Sequence, residues 1–386
     1  MIKLVSDTID KNDITALVEW LTQETIPRLT KGELTTELEN KWSRKLGTRH
    51  SVFVNSGSSS ILLTLATLKV TNKLRNLKIV VPALSWATDV SSPMLLGYDT
   101  IMCDCNTSDL SCDLDKLETI FKNESPSVFI LVSPLGLVPD MDRVVNLCKK
   151  FDVLLLEDVC ESMGSKCNGK YLGTYGYASF FSMYFGHHLS TIEGGFINTD
   201  DEELYHNLLM MRSHGWDRDL PTHVQLEKRS RYNCTDFDSM YNFYLPGMNL
   251  RSTDLQAFIG LRAIEKLGKY SLKRNQNFKK YNSTVKSNDL DIREHKNDFI
   301  SNFAYPVVST GREKIVKQLI ANDIEVRPLI AGNMANKPMW QEHSITKRNN
   351  TNFDNCDRID RYGFYVPNHQ DLTEQDIEKI TTIING

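Results

Sequence analysis

The spacing of apolar residues along the chain predicts an alternation of helices and strands. Apolar residues recur at helical spacing from Leu34 to Leu46, and Gly47 ends that pattern. Short runs of apolar and β-branched residues follow, separated by helical stretches. The predicted strands include 51–54, 78–82, 128–132 and 153–157, and the predicted helices include 59–68 and 88–96. This alternation is typical of an α/β fold with a largely parallel sheet.

The pattern of apolar and polar residues changes twice in the second half of the chain. Residues 221–243 are polar and show no period, so we predict a long loop of the kind that often forms a lid or a binding loop. A helical pattern begins at Asp254 and continues to about Tyr281, and strand and helix patterns follow it to the C-terminus. We therefore expect a large domain over 1–253, with an N-terminal arm, and a smaller α+β domain over 254–386 joined through the long helix.

Composition and charge narrow the possible functions. The chain has 386 residues, 40% of them hydrophobic, and 45 basic against 49 acidic side chains give a net charge of −4. This globular, mildly acidic composition argues against general nucleic-acid binding, and the apolar runs are too short to span a membrane. The N-terminus lacks the apolar core of a secretory signal. The eight cysteines are scattered, so we interpret them as reduced thiols of a cytoplasmic protein.

A tight glycine-serine turn follows the first predicted strand. The strand leads through Gly57 into a predicted helix that begins with Ser58 and two further serines. A helix N-terminus offers unpaired N–H groups and a partial positive charge, and a glycine lets an anion come close to the backbone. The turn is therefore a candidate phosphate site, although an ordinary serine-rich helix cap has the same pattern.

Two more candidates lie at strand ends, where ligands bind in open parallel sheets. Trp86 follows the strand 78–82, and its ring could stack on a flat cofactor ring. The strand 153–157 ends beside Asp158, and a buried carboxylate needs a partner such as a protonated pyridine nitrogen. A core tryptophan and a helix-capping aspartate are the alternatives.

The most specific segment reads SMYFGHHLSTIEGG from Ser182. It resembles a motif of the DegT/DnrJ/EryC1/StrS sugar aminotransferases, which use pyridoxal phosphate (PLP) and have the aspartate aminotransferase fold, known as fold type I. In that motif a Schiff-base lysine lies five residues after the serine and six residues before Glu-Gly-Gly. Both counts, from Ser182 and from Glu193, end at His187, and no lysine lies between Lys170 and Lys228.

The resemblance covers nearly the whole chain and implies a set of cofactor ligands. Asp158 matches the partner of the protonated ring nitrogen, and Glu161 lies where aminotransferases carry Gln or His near the ring phenol oxygen. Asn249 belongs to a segment that reaches the cofactor phosphate of the other subunit, which implies a homodimer with shared active sites. The implied cofactor-binding residues are Gly57, Ser58, Trp86, Asp158, Glu161, Ser182 and Asn249.

One branch of the family, the 3-dehydratases, has histidine at the lysine position. Similarity to that branch implies that L-glutamate converts PLP to pyridoxamine phosphate (PMP) and that the C3 hydroxyl of a nucleotide-linked 4-keto-6-deoxy hexose is then removed. GDP-4-keto-6-deoxymannose is the expected substrate, as in colitose-type deoxysugar biosynthesis, and ammonia is released. The expected substrate-binding residues are His214, Arg218, Arg251, Arg327, Asn368 and His369. The segment 212–218 carries arginines whose forks suit a pyrophosphate, although a solvated charged turn has the same composition.

Histidine suits such a reaction for two physical reasons. It forms no stable Schiff base with PLP, and its unperturbed pKa near ~6.5 lets it exchange protons at neutral pH without special burial. We expect His187 to remove the C4′ proton of the cofactor and then to protonate the leaving hydroxyl. The adjacent His188 leaves a one-residue ambiguity, which the two spacing counts decide in favour of His187.

Three other functions compete with this interpretation. An ordinary keto-sugar aminotransferase needs the missing lysine. A CDP- or dTDP-sugar 3-dehydrase with an iron–sulfur cluster needs closely spaced cysteines after the base, where this chain has only Cys234. A non-catalytic PLP-fold protein is expected to have lost the other cofactor residues. The group Cys103, Cys105 and Cys112 matches no metal or iron–sulfur spacing, so we predict that it is structural and that no metal or cluster is bound.

Overall fold

The computed structural model describes residues 1–344 and 352–386. The strands of this part of the chain are β1 (His50–Val54), β2 (Lys78–Pro82), β3 (Asp99–Cys103), β4 (Val128–Val132), β5 (Leu154–Asp158), β6 (Lys166–Cys167), β7 (Lys170–Tyr171), β8 (Ala178–Ser182), β9 (Gly195–Thr199), β10 (Ala304–Val308), β11 (Arg327–Pro328) and β12 (Gly363–Pro367). The α-helices are α1 (Lys11–Leu21), α2 (Glu33–Leu46), α3 (Gly57–Val70), α4 (Ala87–Leu95), α5 (Leu114–Glu124), α6 (Met141–Phe151), α7 (Glu202–Arg212), α8 (Thr222–Arg231), α9 (Asp254–Thr284), α10 (Arg312–Ala321), α11 (Pro338–His343), α12 (Asp354–Tyr362) and α13 (Glu374–Asn385). None of these helices is long and apolar enough to cross a membrane.

Seven strands form one mixed, mostly parallel sheet in the order β1-β9-β8-β5-β4-β2-β3. The pairs from β3 to β8 are parallel, whereas β9 runs antiparallel to both β8 and β1. All five residues of β4 are buried, as expected for a central strand with helices on both faces. The predicted α/β class is confirmed, and the carboxyl ends of β1, β2, β5 and β8 lie at the same edge of the sheet.

The predicted loop over 221–243 is wrong in part, because the segment contains α8 and a 3₁₀ turn at Asp238–Tyr241. No residue of α8 is buried, so its sequence shows no apolar period. Ion pairs hold the segment instead: Arg229 contacts Asp217 at 2.9 Å and Asp236 at 3.1 Å. Periodicity cannot detect a helix that is stabilised mainly by polar contacts.

A second sheet, in the order β10-β12-β11, lies in the C-terminal part of the chain. The segment before β10 joins it to the central sheet, because Leu135 accepts hydrogen bonds from Phe303 N–H (2.8 Å) and from the Asn302 side chain (2.7 Å). The helix α9 begins at a Thr253 cap and ends at Thr284, three residues beyond the predicted Tyr281. The division into domains at residue 253 stays a prediction.

Candidate active site

The turn after β1 is built to receive an anion. The Ser56 side chain caps α3 by accepting a hydrogen bond from Ser59 N–H at 3.0 Å. Gly57, the first residue of this 14-residue helix, lies directly against Ser182, since a Cβ built on Gly57 would be 2.9 Å from the Ser182 Cβ. Ser58 lies within 3.4 Å of the Thr88 hydroxyl. The structure thus brings together the helix N-terminus and the Ser182 hydroxyl, both of which can hold a phosphate.

Next to this turn, three carboxyl groups come from three different elements. Asp158 ends β5 and is buried, and its Oδ1 accepts a hydrogen bond from Cys160 N–H at 2.9 Å. Asp89, in the first turn of α4, is fully buried, and Glu161 accepts from Leu135 N–H at 3.0 Å. Burial, supported by the neighbouring acids, raises the pKa of Asp89 well above its usual value and that of Glu161 to about 8.

The phosphate turn, these three acids and Trp86 form the site that is called the cleft below, and the described residues provide no cation to pair with its acids. Within the described residues, no ion pair joins any of these three acids to a lysine, arginine or histidine. A ligand with a phosphate at one end and a protonated ring nitrogen at the other would satisfy both the helix N-terminus and the acids. Trp86 is 58% exposed, so it is not the core tryptophan of the alternative interpretation, and its ring is available to a flat ligand. These residues fit PLP.

His187 follows Ser182 in a turn at the edge of the cleft. Its ring is partly exposed and lies 5.4 Å from the Phe303 ring, and its buried Nδ1 has no hydrogen-bond partner in the described chain. Desolvation lowers the pKa of His187 to about 4, although the Cys160 carbonyl opposes the shift. The expectation of an unperturbed histidine is therefore wrong, because the ring loses much of its contact with water.

His188 has a different environment. It is fully buried, and its Nε2 lies 2.8 Å from the Ser301 carbonyl oxygen, to which it can donate. Burial, together with the nearby Arg274 guanidinium, lowers the pKa of His188 well below its usual value. This contact ties the turn after β8 to the segment before β10, so the geometry favours His187 over His188 as the group that meets a ligand.

A groove of about 840 Å³ contains two of the predicted substrate residues, Arg218 and Arg251. Arg218 stacks on Trp216, with its guanidinium carbon 3.9 Å from the ring centroid, and donates to the Met240 carbonyl at 2.6 Å. His214 packs its ring against Trp216 at 5.2 Å. The groove also contains two cations that were not predicted from the sequence, Arg28 in the N-terminal arm and Lys31 directly after it.

Asn249 is exposed, and its Oδ1 accepts a hydrogen bond from Arg251 Nε at 3.1 Å. The backbone next to it lies beside the phosphate turn, because Asn55 N–H donates to the Leu250 carbonyl at 3.1 Å. No hydrogen bond within the described residues joins Asn249 to Gly57, Ser58 or Ser182 of its own chain. The Asn249 side chain is thus exposed and contacts Arg251 rather than the phosphate turn of its own chain.

The remaining predicted substrate residues are not brought together. Arg327 is exposed on β11, opposite Tyr365. His369 is mostly buried, with its Nε2 3.2 Å from the Lys3 carbonyl oxygen, and Asn368 is buried in hydrogen bonds with Arg274 and Asn302. The prediction that His369 and Asn368 face the substrate is not supported, because their polar atoms are satisfied inside the chain.

Arg212, the first arginine of the segment predicted to suit a pyrophosphate, is also internal. It is fully buried, and its guanidinium contacts Glu39, Asp219 at 3.2 Å and the Phe53 carbonyl at 2.8 Å. A buried guanidinium with two carboxylate partners is a structural ion pair. Sequence composition alone could not separate it from Arg218.

The cysteine group gains a fourth member from the C-terminal part, since Cys103, Cys105, Cys112 and Cys356 are all buried. The ligand atoms of Asp104, Cys105 and Cys356 lie within 4.8 Å of one another. Asp104 is already bonded to Lys116 at 2.6 Å and to Cys356 N–H at 2.9 Å. Burial and the adjacent Cys103 raise the pKa of the Cys112 thiol, which fits a structural role.

Known proteins resemble this chain along its length. The model of the DegT/DnrJ/EryC1/StrS aminotransferase family matches residues 7–385. A GDP-4-keto-6-deoxy-D-mannose 3-dehydratase of Yersinia pseudotuberculosis is 34% identical over 385 residues, 96% of this chain and 95% of that protein. A crystal structure of GDP-4-keto-6-deoxymannose-3-dehydratase with a trapped PLP-glutamate geminal diamine has a TM-score of 0.88 at 30% identity, covering all of both chains. A histidine-to-asparagine variant of such an enzyme with bound GDP-perosamine has a TM-score of 0.87 at 29% identity, again covering all of both chains. The chain therefore belongs to the DegT/DnrJ/EryC1/StrS aminotransferase family.

Proposed function

We propose that the protein is a PLP- and PMP-dependent 3-dehydratase of a nucleotide-linked 4-keto-6-deoxy hexose. The substrate is GDP-4-keto-6-deoxy-D-mannose, and L-glutamate is the amino donor. The observation that carries the proposal is a cleft that fits PLP with His187, rather than a lysine, at its edge. The 34% identical Yersinia dehydratase supports the reaction and the GDP-linked sugar.

When bound, the cofactor supplies an amino group for the keto sugar and an electron sink for loss of the C3 hydroxyl. The N-terminus of α3 and Ser182 would hold its phosphate, and the Asp158 carboxylate would keep the proton on the ring nitrogen. Trp86 would pack on the ring. Glu161, whose pKa is raised to about 8, is protonated at neutral pH and can donate a hydrogen bond to the ring phenol oxygen.

His187 moves the protons. Its lowered pKa keeps the imidazole neutral at pH 7, so that it can accept a proton at once from the C4′ carbon of the cofactor. The imidazolium formed in this way is a stronger acid than an ordinary histidine, and it can protonate the departing C3 oxygen. One side chain therefore serves both proton steps.

The groove with Arg28, Lys31, Arg218 and Arg251 binds the diphosphate of the nucleotide sugar. Arginine forks match phosphate oxygens, and the stack of Arg218 on Trp216 fixes one fork in place. We infer that the groove faces the cleft of a second subunit in a homodimer. Two observations support this: Asn249 is exposed beside Arg251, and the large apolar side chains of Trp86, Tyr184, Phe185 and Ile192 are exposed around the cleft.

Product analysis tests the function. The protein is incubated with PLP, L-glutamate and a panel of GDP-, CDP- and dTDP-linked 4-keto-6-deoxy sugars, and products are identified by mass spectrometry. We expect a sugar that has lost one oxygen atom from the GDP-linked substrate, together with ammonia and 2-oxoglutarate, and no reaction without glutamate. A 4-amino sugar as the sole product, or a strict need for a reductase, would overturn the proposal.

A further inference from the structure

The carboxyl group of Asp89 has no role in the function proposed above. Asp89 lies three residues after Trp86 in the first turn of α4, and none of its surface is exposed. Neither of its oxygens has a hydrogen-bond partner of normal geometry among the described residues. A carboxyl group buried in this way is costly unless a proton or a cation satisfies it.

The groups that face Asp89 are themselves acidic. Its carboxyl lies within hydrogen-bonding reach of Asp158, and Glu161 and the Cys160 thiol are close enough to affect its charge. Two ionised carboxylates cannot stay in contact without a cation between them, so the pair keeps one proton. The Cys160 N–H donates a hydrogen bond to Asp158 Oδ1 at 2.9 Å. Asp89 is the more enclosed of the two, with none of its surface exposed against 6% for Asp158, and burial raises its pKa well above the usual value although the Trp86 backbone opposes the shift, so Asp89 keeps the proton.

We propose that Asp89 is a positioning residue that, as a neutral acid, donates a hydrogen bond to the Asp158 carboxylate and fixes its orientation toward the ring nitrogen of PLP. This inference rests on the proposed function. With Cys160 N–H on one oxygen and Asp89 O–H on the carboxylate, Asp158 has little freedom to rotate away from the cofactor. Partners of this kind orient the group that touches a cofactor and are as important as the contact itself.

A series of substitutions distinguishes hydrogen-bond donation by the Asp89 side chain from its packing in the core. Asp89→Asn keeps the size of the side chain and can still donate to Asp158, whereas Asp89→Val fills the same space without a donor. Ser92→Val, at a buried site one turn further along α4, is the control for burying a valine on this helix. Thermal unfolding confirms that each variant is folded, and Asp89→Ala replaces Asp89→Val if the latter is not.

The first readout is the visible spectrum of the PLP-loaded protein against pH, without sugar or glutamate. We expect the PLP spectra of Asp89→Asn and Ser92→Val to change with pH as in the wild type. In Asp89→Val, the ring nitrogen of the bound PLP should lose its proton at a lower pH. In turnover, Asp89→Val should lose about 10-fold or more in kcat, with the KM for the sugar within about twofold of the wild type, and Asp89→Asn should stay within about threefold in kcat.

Two results would overturn the inference. Wild-type spectra and kcat in Asp89→Val would show that no donation is needed, and equal losses in the Asn and Val variants would show that the site requires a carboxyl for another reason. A wild-type protein that takes up no PLP would refute the proposed function and this inference together. If the wild-type protein binds PLP and releases the deoxy sugar, but the Asp89 variants have the same spectra and kcat as the wild type, only the role of Asp89 is refuted.

Discussion

His187 and His188 are adjacent in sequence, but their side chains enter different environments. His188 is fully buried and its Nε2 is bonded to the Ser301 carbonyl, whereas the His187 ring is partly exposed; the Nδ1 atom of each ring lacks a hydrogen-bond partner among the described residues. The backbone turn after β8 directs the two side chains into these different environments. A partly exposed histidine ring can exchange protons with a ligand, while one that is enclosed and bonded inside the chain mainly stabilises the fold.

Replacing each histidine with asparagine tests this distinction. His187→Asn should lower kcat by about 10²–10⁴-fold because it removes the proton acceptor, while PLP still binds. His188→Asn should retain most turnover and lower the melting temperature, because it disturbs the contact with Ser301. Steady-state kinetics and thermal unfolding measure both effects. Normal turnover in His187→Asn, with loss in His188→Asn, would assign the base to His188.

The lowered pKa of His187 has a consequence for the pH profile. Because burial disfavours the imidazolium, the neutral base persists below the pH at which an ordinary histidine becomes protonated. We expect the acid limb of kcat/KM to lie below pH 6, and stopped assays from pH 5 to 8 can locate it. An acid limb centred near ~6.5 would mean that the base is a solvated histidine.

For single residues, the sequence predicted those that belong to a motif or a strand end. It did not predict those whose role depends on partners far away in the chain. Gly57 follows the predicted strand 51–54 and Asp158 lies at the end of the predicted strand 153–157, so their convergence could be predicted from the sheet, whereas Ser182 was identified from the motif. Asp89 is indistinguishable in sequence from an ordinary acid in the first turn of a helix. Its burial beside Asp158 depends on how α4 packs against α3, β2 and β3, and no local pattern carries that information.

Among the elements, the junction of β1 with α3 is sensitive to substitution because Gly57 lies directly against two side chains. A methyl group on Gly57 would come within 2.9 Å of Ser182 Cβ and 3.0 Å of Cys160 Sγ. Gly57→Ala should therefore push the helix N-terminus away from Ser182, weakening PLP binding by about 10-fold or more and lowering stability by about 1–3 kcal/mol. Titration with PLP and thermal unfolding measure the two losses.

Gly268→Ala is the matched control. Gly268 lies inside α9, and a Cβ there would meet no atom within 4 Å. Alanine in an open helical position should raise stability by about 0.5–1 kcal/mol and leave PLP affinity unchanged. Equal PLP affinity in Gly57→Ala would show that the phosphate is held elsewhere.

Elements with a strong apolar period could be predicted from sequence to within a few residues, as β2 and β4 show. The helix α8 could not be, because it buries no residue and is held by the ion pairs of Arg229. Likewise, the contact of Phe303 and Asn302 with Leu135 joins segments far apart in the chain. Such contacts bring Phe303 against His187, and only the three-dimensional structure shows them.

At the scale of the whole molecule, the proposed homodimer predicts complementation between defective subunits. Asn249→Ala should damage the site of the partner, whereas His187→Ala should damage the site of its own subunit. Each pure variant should be weakly active, and a mixed dimer should recover activity because one of its two sites is intact. Tagged co-purification verifies the mixed dimers, and the absence of recovery in them would contradict a shared site.

The acidic cleft also links cofactor supply to folding. In the protein without PLP, Asp89 and Glu161 bind protons more tightly in the folded state than in the unfolded state. Their contribution to stability is therefore greatest at low pH and falls as the pH rises toward the folded-state pKa of about 8 for Glu161. PLP binds only the folded state, and its protonated ring nitrogen can act as a counter-ion for these acids. Because no lysine tethers it, PLP can dissociate, and its concentration shifts the folding equilibrium by mass action. The gain in melting temperature on adding PLP should therefore be larger at pH 8 than at pH 6.5, as scanning calorimetry of stripped and reloaded protein would show. An equal gain at both values would mean that the acids stay protonated throughout. A cell short of this cofactor would then lose the protein through unfolding as well as its activity.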